Sequence, residues 1–277
     1  MSAATRTAAA GVLVFALGGL PGYALAQAGP VRLQLRPHAG DTLRLRLDQT
    51  IEVGRNTTGD GDGAGDVASV VMLARIAVEA TDHEGASVTA LTDSVRITSS
   101  EAYASSEVLR GARAMQGTRF RFHVAHDGAT HMGVAGGASG DGLRALFSQL
   151  PATLPTEPLA PGATWTRIAE IPLPVSPDGR QTATLHVTFV FDSLSRSGEF
   201  AHLSVRGRLH RSGALPGGGG GTVQTTGDVS GTILLDRRRG WISDARTVVT
   251  LRSVVATPGP SPPMRVRVKI TQWMRVL

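Results

Sequence analysis

Apolar and polar residues alternate one for one along much of this chain, and that rhythm restricts it to β-structure more firmly than any other feature. From Thr42 to Val53, Leu43, Leu45, Leu47, Ile51 and Val53 fall on one side, while Arg44, Arg46, Asp48, Thr50 and Glu52 fall on the other, as successive side chains of a strand do. Phe120, Phe122 and Val124 alternate with Arg119, Arg121 and His123, and Leu203, Val205 and Leu209 stand against His202, Arg206 and His210. The chain closes on Val266, Val268, Ile270, Met274 and Val276 against Arg265, Arg267, Lys269 and Arg275. One dry and one wet face per strand implies antiparallel sheet, because strands buried in a parallel sheet are apolar throughout.

Turn residues punctuate the strands at Asp82-His83-Glu84-Gly85, Asp127-Gly128, Ser195-Arg196-Ser197-Gly198 and Arg239-Gly240. Glycine supplies the positive φ that tight hairpins need, so neighbouring strands pair as hairpins. Two helices are expected. One lies near Ser105 to Met115; the other runs from Asp141 to Gln149, with Asp141 as N-cap and Leu143, Leu146, Phe147 and Leu150 at helical spacing before Pro151.

An internal duplication is expected from the spacing of landmarks. Gly40-Asp41-Thr42-Leu43 and Gly162-Ala163-Thr164-Trp165 lie 122 residues apart, whereas Gly85 and Gly198 are 113 apart and Gly128 and Gly240 are 112 apart. The difference fits the Gly/Asp-rich stretch from Gly54 to Asp66, which the second half replaces by Ser176-Pro177-Asp178-Gly179-Arg180. The fold expected is mainly β: a curved antiparallel sheet or open half-barrel built from two similar β-meander halves, with one or two short helices. The halves span residues 27–150 and 163–277, joined by a semi-rigid connector, 151–162, that carries Pro151, Pro155, Pro158 and Pro161.

Residues 1–26 read as a secretory signal. Arg6 is followed by an apolar run from Ala8 to Leu20, a Pro21-Gly22 break and the small-x-small triplet Ala24-Leu25-Ala26 before Gln27. The run falls short of the ~20 apolar residues a membrane span needs. The mature protein is therefore expected to be periplasmic or extracellular, with no stable membrane span. Its length of about 250 residues is enough to bury roughly 70–75% of the unfolded surface. With no cysteine, stability rests on packing alone. Loss of Arg6 leaves 27 basic residues against 22 acidic ones. The excess is carried by arginine spread along the strands, Lys269 being the sole lysine, and Arg237-Arg238-Arg239 is the single basic run. Dispersed charge and few aromatics exclude a nucleic-acid reader.

Motifs for chemistry fail on spacing. Asp60, Asp62, Gly65 and Asp66 match four positions of a calcium loop, but Val71 stands where the bidentate Glu belongs, leaving Asp60, Asp62 and Asp66 as weak metal candidates. His123, His126 and His131 with Asp127 form the single histidine cluster, and an odd spacing puts His123 and His126 on opposite faces. A bend at Asp127-Gly128 could bring His126 and His131 together. Gly137-Ala138-Ser139-Gly140-Asp141 lacks the second glycine of a nucleophile elbow. No catalytic residue and no cofactor is assigned. The aromatics Phe120, Phe122, Phe147, Trp165, Phe189 and Phe191 either fill a core or line a cavity for an apolar ligand.

Gly40-Asp41-Thr42, Pro161-Gly162-Ala163-Thr164-Trp165 and Leu235-Asp236-Arg237-Arg238-Arg239-Gly240-Trp241 carry a resemblance to uncharacterised exported β-rich bacterial proteins. In plan the chain is distantly similar to the periplasmic lipoprotein carriers, whose half-barrels hold acyl chains. That resemblance implies a non-enzymatic envelope protein binding a lipid or other apolar ligand on the concave face of its sheet. The alternative is a structural or protein-interaction module.

Overall fold

A computed structural model describes residues 29–56, 65–100, 107–132, 153–172, 182–214, 221–260 and 262–277. The proposed signal segment, the Asp141–Gln149 helix, the Gly137–Asp141 string, Phe147, Asp60 and Asp62 lie outside those residues. Eleven strands form one sheet: β1 (Thr42–Asn56), β2 (Asp66–Thr81), β3 (Gly85–Ser99), β4 (Arg119–Ala125), β5 (Thr130–Met132), β6 (Thr164–Pro172), β7 (Thr182–Leu194), β8 (Phe200–Ala214), β9 (Thr222–Asp236), β10 (Trp241–Ala256) and β11 (Met264–Val276). The helix α1 (Glu107–Ala114) lies between β3 and β4, within the span read as helical from sequence.

The order across the sheet is β5-β4-β3-β2-β1-β11-β10-β9-β8-β7-β6, and every pairing is antiparallel. The sheet does not close into a barrel: β5 and β6 remain its two edges. Each half is a meander of five strands, β1–β5 and β6–β10, laid down in the same direction, and β11 fills the seam between β1 and β10. The halves match in detail. Gly40 N–H donates to Val78 C=O (2.8 Å) while Val78 N–H donates to Asp41 C=O (2.9 Å); Gly162 and Phe191 (2.6 Å), and Phe191 and Ala163 (2.9 Å), repeat this pair of bonds. A register shift follows each, at Glu79 between β2 and β3 and at Asp192 between β7 and β8. Both bulge carboxylates accept a hydroxyl from the next strand, Thr89 Oγ1 at 2.5 Å and Ser204 Oγ at 2.6 Å. Val78 and Phe191 are 113 residues apart, the spacing already seen between Gly85 and Gly198.

The sheet curls. Laid flat, Val88 on β3 and Leu203 on β8 would stand about 29 Å apart, six strands at ~4.8 Å each. Instead both belong to one buried cluster with Ile76, Val78, Val124, Phe191, Leu235 and Trp241, into which Leu33, Leu35 and Leu154 insert. Glycines on the inner face of β8 and β9 sit opposite bulky residues: Gly207 faces Val187 and Val229, and Gly227 faces Leu209 and Leu251. A Cβ on Gly227 would come within 2.6 Å of Leu251 Cδ2. Alternating large and small side chains is what a narrow, curled interior requires.

One end of the curl is sealed by two extended segments. Leu35 N–H donates to His126 C=O and Arg36 N–H to Gly240 C=O, so residues 31–36 span from the β4–β5 turn to the β9–β10 turn. Thr153 and Leu154 N–H groups both bond Asp127 C=O, and Val31 and Leu159 exchange a pair of bonds that joins the two segments. Leu33 and Leu154 are fully buried. Aspartates hold the turns beneath: the Asp82 carboxylate accepts from Glu84 and Gly85 N–H, Asp127 from Ala129, and the buried Asp236 from Arg238 and Arg239. Toward the other end, Ile51, Val53, Val187, Phe189, Leu209, Val229, Leu251 and Val268 form a second cluster, and Ala112 of α1 packs on a third built on Ala68 and Val70.

Candidate functional site

Between these clusters lies a part of the concave face whose side chains are half-buried or exposed. Two cross-strand rows make it, and a third borders it. In the first, Met72 on β2 faces Leu47 on β1, then Met274 on β11 and Ala245 on β10. In the middle row Gln49 faces Gln272, which faces Thr247, with Gly231 of β9 beyond. The third row sets Ile51 against Ile270 and Val249 and belongs to the second cluster, in which Ile51 is buried. Strand alternation puts all three rows on the same side as the buried Val53, Leu251 and Val268. Yet Gln272 is exposed, and Gln49, Thr247, Leu47, Met72 and Met274 are half-buried.

The middle row is a belt of uncharged hydrogen-bonding groups. Its two amides carry donors and acceptors, its hydroxyl does both, and none of them titrates in the accessible range. Methionines in the adjoining row adapt their shape to what they touch. These rows offer hydrogen bonds and apolar contact, and they hold no acid, base or activated nucleophile. Arg167, the charge on this face of β6, is occupied by the Leu154 carbonyl at 2.8 Å.

The convex face is of opposite character. Arg46 grips Asp48 through Nε and Nη2 at 2.7–3.0 Å, and Trp273 Nε1 donates to Asp244 at 2.7 Å. The Arg246 and Arg275 guanidinium carbons stand 4.3 and 4.0 Å from the centre of the same indole. Lys269 pairs with Glu52 at 3.0 Å. An open depression of about 340 Å³ on this side is rimmed by Arg44, Leu73, Arg75, Asp93 and Leu277, with Arg75 and Asp93 paired at 2.8 Å across it. A face this charged belongs in water and not against lipid tails.

The aromatic candidates distribute differently. Phe189 and Phe191 are buried in the packed clusters, and Trp165 stacks on Phe189 at 5.4 Å between centroids while its Nε1 donates to Thr153 C=O at 2.8 Å. Phe122 packs against the sealed-end cluster and Phe120 is half-buried on β4. Phe191 continues the first row through Ile233 and Leu203, and Phe189 and Trp165 continue the middle row through Gly231 and Val205. Of the metal candidates, Asp66 accepts from Ser100 Oγ at 3.1 Å, and no group of three potential metal ligands occurs among the described residues. The bend at Asp127-Gly128 does not bring His126 and His131 together. His123 stands directly opposite His131, while His126 turns away and bonds Leu35 C=O through Nδ1 at 2.7 Å, because the plug segment claims it.

The belt escaped a reading that weighed aromatics, but it left a trace in sequence. Gln49 interrupts the run Leu43, Leu45, Leu47, Ile51, Val53, and Gln272 interrupts Val266, Val268, Ile270, Met274, Val276, each at an inward position. Register makes the two gaps coincide.

No family model matches this chain, and no curated protein matches it. Among solved structures it is similar to the β domain of the Bordetella autotransporter BrkA, at 10% identity over 85% of this chain and 99% of that one, with a TM-score of 0.16. A likeness so slight says nothing about what this chain does. No helix among the described residues is long and apolar enough to cross a membrane.

Proposed function

We propose that this is an exported, non-catalytic envelope protein that holds an apolar, lipid-like ligand on the concave face of its curled sheet. One observation carries the reading. The concave face is tightly packed at its sealed end and beneath α1, yet stays open over Met72, Leu47, Met274 and the Gln49–Gln272–Thr247 row. Half-open apolar surface in a concavity, with a few convergent polar groups, is the usual make-up of a small-molecule site. Export is supported by the charged start, short apolar run and small-x-small triplet of residues 1–26.

Native mass spectrometry of protein purified from its own envelope tests both parts. A mature chain beginning at Gln27 and carrying a co-purified lipid is the expected result. A lipid-free oligomer would instead support an interaction module, and a chain retaining residues 1–26 in the cytoplasm would remove the export claim.

A further inference from the structure

We propose that the convex face of the second half, across β8 to β11, is a docking surface for the phosphate-bearing headgroups of an anionic membrane. The inference rests on the export reading for access to a membrane and is independent of what the concave face holds. Register gathers here arginines that the sequence disperses. Arg206 and Arg208 on β8, Arg252 on β10, and Arg265 and Arg267 on β11 are all exposed on this side, with Lys269 beside them. Among them stand Thr226, Ser230, Thr250 and Thr271, whose hydroxyls donate to phosphate oxygens as guanidinium groups do. Over residues 204–212, 222–230, 248–254 and 264–271 the one carboxylate is Asp228.

The same face of the first half treats its arginines otherwise. Arg46 is held by Asp48 at 2.7 Å, Arg75 by Asp93 at 2.8 Å and Arg121 by Glu79 at 3.1 Å. In the second half Arg252 and Asp228 approach only to 3.9 Å, with side chains 62% and 66% exposed. Arg206, Arg208 and Arg265 meet no carboxylate among the described residues. Arg252 also stands directly opposite Arg267, a like-charge pairing that costs a sheet stability and that an external anion would offset. From β8 to β11 is about 14 Å, three strand spacings, so these groups cannot converge on one phosphate. The partner must spread its negative charge over an area. No aromatic residue occurs on these stretches. Protein partners draw their binding energy from such anchors and single-stranded nucleic acids from ring stacking, whereas a layer of lipid headgroups requires only charge and donors.

The test floats the purified mature protein with vesicles of phosphatidylcholine alone or of an equimolar mixture with phosphatidylglycerol, in about 0.1 M salt. Binding should require phosphatidylglycerol and disappear at about 1 M salt, where the Debye length is about 3 Å. Arg208→Gln/Arg252→Gln should lower the vesicle partition coefficient about 25-fold, roughly fivefold per arginine. Arg75→Gln/Arg121→Gln removes the same charge from the first half and should change it less than about twofold. Arg75 lies eight residues, about 27 Å, along the strands from the Glu52–Lys269 pair. All four side chains are exposed, so both variants should fold. Equal losses in the two variants would mean attraction by net charge alone and overturn the docking surface. So would equal binding to pure phosphatidylcholine, or displacement of the vesicles by polyglutamate or DNA at matched charge. Vesicle binding that fails leaves the export reading standing, because export is read separately from whether the cellular chain begins at Gln27.

Discussion

The two ends of the curled sheet are built from the same kind of strand and differ in what lies over them. At the sealed end, short turns pinned by Asp82, Asp127 and Asp236 support the crossing segments, and Leu33, Leu35 and Leu154 drop between walls contributed by β3, β4, β8 and β10. Further along, near the centre of β1 and β11, Leu47, Gln49 and Met274 on the same face are only half-buried, and Gln272 reaches solvent. The alternation of the strands is identical in both places. Stability is thus concentrated where a second layer exists, and half-open surface is left between the clusters.

Truncation should separate the two regions most sharply. Phe191→Ala, at a fully buried position in the sealed-end cluster, is expected to cost about 3–5 kcal/mol in urea unfolding. Met274→Ala, half-buried in the open rows, should cost under about 1.5 kcal/mol. Equal losses would erase the distinction between the ends. Next in size is Gly240→Ala. A Cβ there would overlap the backbone of Arg36 where the plug crosses, and Gly240 has a φ of +61°, so a loss on the order of 2 kcal/mol is expected. Increased proteolysis around residues 31–36 would locate that loss at the seal.

Trp165→Phe keeps the stack on Phe189 and removes the bond to Thr153. A loss of about 1 kcal/mol is expected from thermal melts. Gln272→Leu should leave the melting curve within about 0.5 kcal/mol of the parent, since an exposed side chain contributes little to folding.

Acid should act mildly and at the sealed end. The Asp82 carboxyl is held below its ordinary 3.8 by the Glu84 and Gly85 N–H groups, and Glu79 below its ordinary 4.5 by the Thr89 hydroxyl and then Arg121. Groups with lowered folded values stabilise fully above the unfolded values, and that contribution fades as pH falls through the folded ones. Stability contributed by these two carboxylates is therefore complete above about pH 5 and declines below about pH 4. Asp82→Asn should flatten the acid limb of a stability–pH curve; an unchanged limb would show that the turn bond is not linked to folding.

Much of the architecture is legible in the sequence. The inward runs on β1 and β11 announced strands with one dry face, and the glycines at 85, 128, 198 and 240 announced the tight turns of the two meanders. The 113-residue spacing recurs in the matched bulges at Glu79 and Asp192. The site was less accessible. Phe189 and Phe191 drew attention as ligand-lining residues because size and apolarity are properties of a single position, yet the same properties make them core. Gln49 and Gln272 are unremarkable alone; they become a belt because strands more than two hundred residues apart pair in one register. His126 likewise took its partner from the distant segment around Leu35.

Period-two hydrophobicity and turn chemistry act between neighbours in the chain, so the sequence by itself determined the strands, their wet and dry faces and the hairpin order. The joining of β1 to β11, the curl, the crossing of residues 31–36 over one end and the open middle of the concave face depend on contacts between remote segments. No local pattern encodes those contacts, because their free energy comes from apolar surfaces that meet only after the whole sheet has assembled.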